Sequence, residues 1–261
     1  MKKPTIGAFY QCYKQSKAFL HSVRSFRRVY KNSNFYAISD GGFNYSDISK
    51  KLKFNFVYDK QIGNGKTTLL DSRESFKKWL GRLFFVAKNI QEDYLIILED
   101  DVKVLSKVKK LKFDLNGVNK SERMGENMTK FLKNHGAKIP KDCSNYFYGG
   151  CGGAILKKDF VLKNLNPENI DIAMDELSKY LDSRHLGHFH SDYWLSILTL
   201  YYGGTIGQYS GFCERVRERR IFWFKFLLGK ISVLHQYKKY YNKELSIKEK
   251  DFLGNISSDI L

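Results

Sequence analysis

Short apolar runs alternate along this chain with stretches in which apolar residues recur every three or four positions. That alternation predicts strands and helices in turn. Residues 5–10 read as a first strand, and Phe19, Leu20, Val23, Phe26 and Tyr30 then fall on one face of a helix. Residues 34–39 make a second strand, stopped by Asp40-Gly41-Gly42, and residues 54–58 a third. A loop over 59–70 carries Gly63, Gly65 and Lys66. The next helix is expected to begin at Asp71, because Asp71 and Glu74 stand at capping-box spacing, with Asp in place of Ser or Thr. Phe76, Leu80, Leu83, Phe84, Ala87 and Ile90 supply its buried face. The apolar run Tyr94-Leu95-Ile96-Ile97-Leu98 is a fourth strand, and it ends abruptly in Glu99-Asp100-Asp101. Strands alternating with helices predict an α/β fold around a largely parallel sheet with right-handed crossovers.

Beyond Asp101 the pattern loosens. Residues 103–112 are basic and partly apolar, and 122–135 read as a polar-faced helix. Residues 146–156 are aromatic, then rich in glycine (Gly149, Gly150, Gly152, Gly153), then apolar. Glycines there permit unusual backbone angles or the close approach of a ligand. A helix over 191–202 stops at Gly203-Gly204, and 205–209 form a short strand. Residues 233–237 fit either a short strand or a loop. Trp79 and Trp194 fall on helices, as core residues.

With 43% hydrophobic and 28% charged residues, the 261-residue chain has a globular composition. Only three prolines, with no Ser/Gly-rich linker or repeat, argue for one compact unit over 1–261. Its parts would be 1–101, 102–214 and a basic, aromatic tail over 215–261. No apolar run approaches a spanning length, and the N-terminus lacks a signal-peptide core, so a cytoplasmic location is expected. The four cysteines form no C-x-x-C pair and read as free thiols. The net charge of +18 implies attraction to polyanions: nucleic acid, an anionic membrane face or phosphorylated substrates. Helix-turn-helix, zinc-finger and RRM signatures are missing and the basic residues are spread out, so no specific nucleic acid is expected. A nucleic-acid-binding protein or metal-dependent nuclease remains the competing class. Residues 217–228 interleave Arg and Lys with Phe222, Trp223 and Phe224, a composition suited to a peripheral place on an anionic bilayer face.

Candidate chemistry concentrates at Glu99-Asp100-Asp101. Ligands bind beyond the carboxyl ends of strands in an open α/β sheet. Three adjacent carboxylates repel one another and favour a hard divalent cation, Mn²⁺ or Mg²⁺. On an extended chain Glu99 and Asp101 point the same way, leaving Asp100 to the other side.

Taken in order, these pieces resemble a GT-A fold glycosyltransferase: a Rossmann-like, mostly parallel central sheet flanked by helices in a single domain. The residues that carry the resemblance are Glu99-Asp100-Asp101, similar to the family's D-x-D, and the Ser39-Asp40 turn after strand two. The glycine-rich 149–153, then His190-Ser191-Asp192 and the late His235, complete the series. The resemblance implies a nucleotide-sugar donor, UDP-sugar favoured, and a hydroxyl acceptor on a glycan, lipid-linked or protein substrate. It implies Glu99, Asp101 and His235 as metal ligands and Asp40 at the nucleoside. Asp100 would also lie at the donor, with Lys66, Arg73 and Arg82 as cationic help on the diphosphate. Gly150, Gly152, Gly153 and His190 would line the acceptor side. Asp192 is the expected catalytic base, which makes the reaction inverting. Here the first acid is Glu99 where the family pattern has Asp.

Overall fold

The computed structural model describes residues 3–59, 72–119, 124–139, 148–149, 152–183, 189–214 and 228–235. In chain order the first half contains β1 (Ile6–Cys12), α1 (Ser16–Val29), β2 (Phe35–Asp40), α2 (Ser46–Leu52), β3 (Asn55–Asp59), α3 (Arg73–Asn89) and β4 (Tyr94–Leu98). Then come β5 (Lys103–Val104), β6 (Leu115–Asn119), α4 (Glu126–Asn134), β7 (Tyr148–Gly149), β8 (Ile155–Lys157), α5 (Lys158–Asn164) and α6 (Asp171–Ser178). The last elements are α7 (Ser191–Tyr201), β9 (Ile206–Gln208), β10 (Phe212–Glu214) and β11 (Val233–His235).

The central sheet runs β3-β2-β1-β4-β8-β6-β7, with β9 beside β6. Its first four strands are parallel, β6 and β9 are parallel, and β8 is antiparallel to both β4 and β6. Helices cover both faces, so strands buried on two sides read as continuous apolar runs. Ile6, Ala8, Tyr10 and Cys12 of β1 share a core with Ile96 and Leu98 of β4, beneath Phe19, Val23 and Phe26 of α1. Phe9, Leu95 and Ile97 point the other way, into a core with Phe76, Leu80 and Leu83 of α3 and Trp194 of α7. Trp79 and Trp194 are both buried core residues, as their helical positions predict.

A second, three-stranded sheet orders β10-β11-β5, and it sits beside the carboxyl end of β4. The chain approaches it closely at Gly153, whose φ is +86° and whose added Cβ would lie 2.7 Å from the Phe212 ring. Gly153 N–H in turn donates to Ile97 O at 2.7 Å, which sews this glycine to β4.

Two helix starts differ from the expected ones. α3 begins at Arg73, because Ser72 is its N-cap: the backbone there is extended, and the Ser72 hydroxyl accepts the Ser75 N–H at 3.1 Å. Asp71 lies outside the described residues. α4 begins at Glu126 rather than 122, behind Gly125, whose φ of +89° breaks the helical path. Among the described residues no helix is long and apolar enough to cross a membrane.

Candidate functional site

The carboxyl ends of the parallel strands meet under one side chain from α3. Arg82 is 7% exposed, and its guanidinium donates from Nη1 to Gln11 Oε1 at 2.8 Å and to Asp40 Oδ1 at 2.7 Å. Its Nη2 donates to Asp59 Oδ2 at 2.6 Å. One buried cation therefore ties the ends of β1, β2 and β3 together through charge-assisted bonds. Asp40, expected at the nucleoside, is only 2% exposed and has Arg82 as its ion-pair partner. A carboxylate this deep needs a paired cation, and Arg82 supplies it. Arg73, expected beside the diphosphate, stands at the start of α3. Its guanidinium reaches Asp175 at 2.6 Å and Asp171 at 3.9 Å, tying α3 to α6. Lys66 lies outside the described residues.

One strand further along, β4 gives way to the acids. The sequence predicts an extended Glu99-Asp100-Asp101, but the chain closes a turn here, and Val102 N–H donates to Glu99 O at 3.1 Å. Asp100 and Asp101 are its central residues. Glu99 and Asp101 still share a side, through the turn rather than through strand alternation. Each offers a carboxylate oxygen, and His235 offers a ring nitrogen, with these atoms all within 4.8 Å of one another. His235 Nε2 lies 3.5 Å from Asp101 Oδ1 and 3.9 Å from Glu99 Oε2. His235 ends β11 and is 6% exposed. Its place follows from pairing: β11 runs parallel to β10 and antiparallel to β5, and β5 begins two residues after Asp101. Two carboxylates and an imidazole make a donor set suited to Mn²⁺ and similar first-row ions.

Asp100 is not one of this trio, and its Oδ1 accepts the phenol hydrogen of Tyr10 on β1. Gly152 stands directly against the acids, because a Cβ added there would lie 2.7 Å from Glu99 Oε2 and 2.8 Å from Val102 Cγ2. That close approach to Glu99 is a second demand for glycine in the segment, beside the backbone angle of Gly153. Gly150 lies outside the described residues.

A cavity of about 30 Å³ beside the acids is lined by Phe9, Gln11, Trp79, Glu99, Asp100 and Ser191. It brings the head of α7 to the site. Asp192 sits in the first turn of that helix, where its Oδ1 accepts the N–H of Tyr193 at 2.9 Å. An acid there is also favoured by the helix dipole. His190, at the N-cap position, is half-buried. Two larger grooves, of about 720 and 590 Å³, are lined by Thr5, Tyr30 and Lys107 and by Pro4, Tyr94 and Lys110 respectively. Thr5 and Tyr94 stand at the amino ends of β1 and β4, so these grooves lie at the opposite end of the sheet from the acids.

Sequence reasoning missed Tyr10 and Gln11. Both sit inside an apolar strand, and the only local signal is a polar Gln11 near its carboxyl end. The tail residues 215–227 and 236–261 lie outside the described residues.

No protein-family model matches the chain, and no curated protein matches it in sequence. Solved structures do match it in fold. The galactosyltransferase LgtC, in complex with donor and acceptor sugar analogs, aligns over 97% of this chain and 95% of its own, with a TM-score of 0.52 at 10% identity. An active-site mutant of LgtC aligns over 96% and 95%, with a TM-score of 0.55 at 9% identity. The glycosyltransferase GlyE of Streptococcus pneumoniae TIGR4 aligns over 98% of this chain and 61% of its own, with a TM-score of 0.50 at 12% identity. At such identities the likeness concerns architecture: a mostly parallel α/β sheet continued by antiparallel strands, with helices on both faces. The chain has the fold of the GT-A glycosyltransferases.

Proposed function

We propose that the protein is a metal-dependent glycosyltransferase that moves a sugar from a nucleoside diphosphate sugar, UDP-sugar favoured, to a hydroxyl of a glycan, lipid-linked or protein acceptor. The observation that carries this reading is the convergence of Glu99, Asp101 and His235 at the carboxyl end of the parallel sheet. Three groups from two separate sheets meet there with a donor set that fits Mn²⁺ or Mg²⁺.

Glu99, Asp101 and His235 would hold the ion. When bound, it supplies positive charge to the donor's diphosphate, which becomes more negative as the sugar departs. Asp100, carried by the same turn, keeps its place beside the donor. Gly152 leaves the space in which Glu99 can face that ion. The head of α7 supplies the acceptor side: Ser191 lines the cavity next to Glu99 and Asp100, and Asp192 follows it on the first turn. Asp192 would accept the proton of the attacking hydroxyl as it bonds to the anomeric carbon and the nucleoside diphosphate leaves. Attack of that kind inverts the anomeric centre. His190 lies on the same approach. The lysine-rich surface and basic tail suit an acceptor on an anionic membrane face, with the protein on its cytoplasmic side.

Calorimetric titration of UDP, GDP and CMP, with and without Mn²⁺, tests the reading directly. Mn²⁺-dependent binding of UDP that disappears in Asp101→Ala is expected. Failure of all three nucleotides to bind overturns it. Asp192→Ala is expected to keep UDP affinity while transfer falls by about 10²–10⁴-fold. A product with a retained anomeric centre removes Asp192 from the role of base.

A further inference from the structure

Asp100 is the acid of the turn that the Glu99–Asp101–His235 trio leaves out. Its Oδ1 instead accepts a hydrogen bond from the phenol of Tyr10. Tyr10 lies on β1 directly across from Leu98, the last residue of β4, so the phenol reaches just past the end of the neighbouring strand. Its ring is fully buried and packs edge-on against Phe19 at 4.9 Å between centroids. A ring held in this way has little freedom to follow Asp100 elsewhere. Burial first, and then the charge of Asp100, push the Tyr10 phenol well above its ordinary pKa, which keeps it a donor at neutral pH.

Three carboxylates crowd one four-residue turn, and any two of them could face a cation. We propose that Tyr10 is a positioning residue for the metal site: by holding Asp100 toward β1, it selects Glu99 and Asp101 as the pair that faces His235. This rests on the metal-binding reading above. The phenol gives Asp100 a charge-assisted hydrogen bond and keeps its oxygen out of the ligand set. Without that bond, Asp100 is drawn toward the cation, and the turn loses the constraint that presents Asp101.

The test is Mn²⁺ titration by calorimetry without nucleotide, on the wild-type protein, Tyr10→Phe, Asp100→Asn, the Tyr10→Phe/Asp100→Asn double variant and, as the ligand-loss reference, Asp101→Asn. Thermal unfolding in EDTA checks that each is folded. Tyr10→Phe is expected to weaken Mn²⁺ binding by about tenfold or more, as groups that orient metal ligands commonly do. Asp100→Asn still accepts the phenol hydrogen and is expected to stay within about threefold of wild type, well short of that orienting loss. The double variant has no stray carboxylate and is expected to recover most of the loss. A merely structural role for Tyr10 would not predict that recovery. Wild-type affinity in Tyr10→Phe overturns the proposal alone. So does a loss in Asp100→Asn as large as that in Asp101→Asn, since Asp100 would then be a ligand itself; this arm reads the question even if Tyr10→Phe fails to fold. A wild-type protein that binds no Mn²⁺ overturns the metal-binding reading and this inference with it.

Discussion

Gly152 shows how much one missing methyl group can decide. A Cβ there would press on Glu99 Oε2, the far end of a flexible side chain, and on Val102 Cγ2. The expected response to Gly152→Ala is a swing of the Glu99 carboxylate together with a shift of the buried Val102 side chain. Mn²⁺ affinity should then fall by about tenfold or more, and the unfolding temperature in EDTA should fall as well, since overpacking at a buried side chain costs about 1–3 kcal/mol. Calorimetry and a thermal melt on the same preparation check both halves. A glycine-rich segment in this region is legible in the sequence, and so are three acids after an apolar run, because both are covalently adjacent. The partners of Asp40, Arg73 and Arg82 are not legible. Asp40 reads as a turn acid before two glycines, yet the fold buries it against Arg82. Arg73 and Arg82 look alike as cations on one helix; position on the helix sends the first to α6 and the second under the strand ends.

At the scale of elements, the α3 helix acts as a clamp. Its Arg82 joins Gln11 on β1, Asp40 at the end of β2 and Asp59 at the end of β3. Arg82→Leu would leave the Asp40 carboxylate buried without this partner, and losing one member of a buried pair costs about 3–5 kcal/mol. Urea unfolding is the measurement, with a lower midpoint and an unchanged slope expected. The long elements are readable because their periodicity is local: β1, α1, β2, β3, α3 and β4 all appear within a few residues of their expected places. Their ends are less readable, as at α3, where Asp71 and Ser72 are both good caps and the backbone chooses the second. The small sheet is nearly invisible in advance. Strands of two or three residues, such as β5, β10 and β11, carry no periodicity and exist through pairing across long sequence separations.

For the whole molecule, the acid turn of β4 and the end of β11 belong to separate sheets, so a cation held by Glu99, Asp101 and His235 would cross-link them. Binding to the folded state alone stabilises by about 2.7 kcal/mol at a hundred times the dissociation constant. In a chain of this size that corresponds to roughly 5–10 °C in unfolding temperature. Saturating Mn²⁺ should therefore raise the melting point by that amount, EDTA should reverse it, and Asp101→Ala should show no shift. Differential scanning calorimetry would register all three.

The sequence by itself determined the alternation of strands and helices and the placement of three carboxylates after the fourth strand. Both are properties of neighbouring residues, and hydrophobic periodicity and covalent order survive without a fold. Only the tertiary structure decided that Asp40 would be buried under Arg82, that Tyr10 would bond to Asp100, and that the acids would close a turn beside β11, where the resemblance had already set His235 with Glu99 and Asp101. Those outcomes depend on side chains brought together from distant parts of the chain. A burial or a hydrogen bond of that kind exists only once the sheet has ordered its strands.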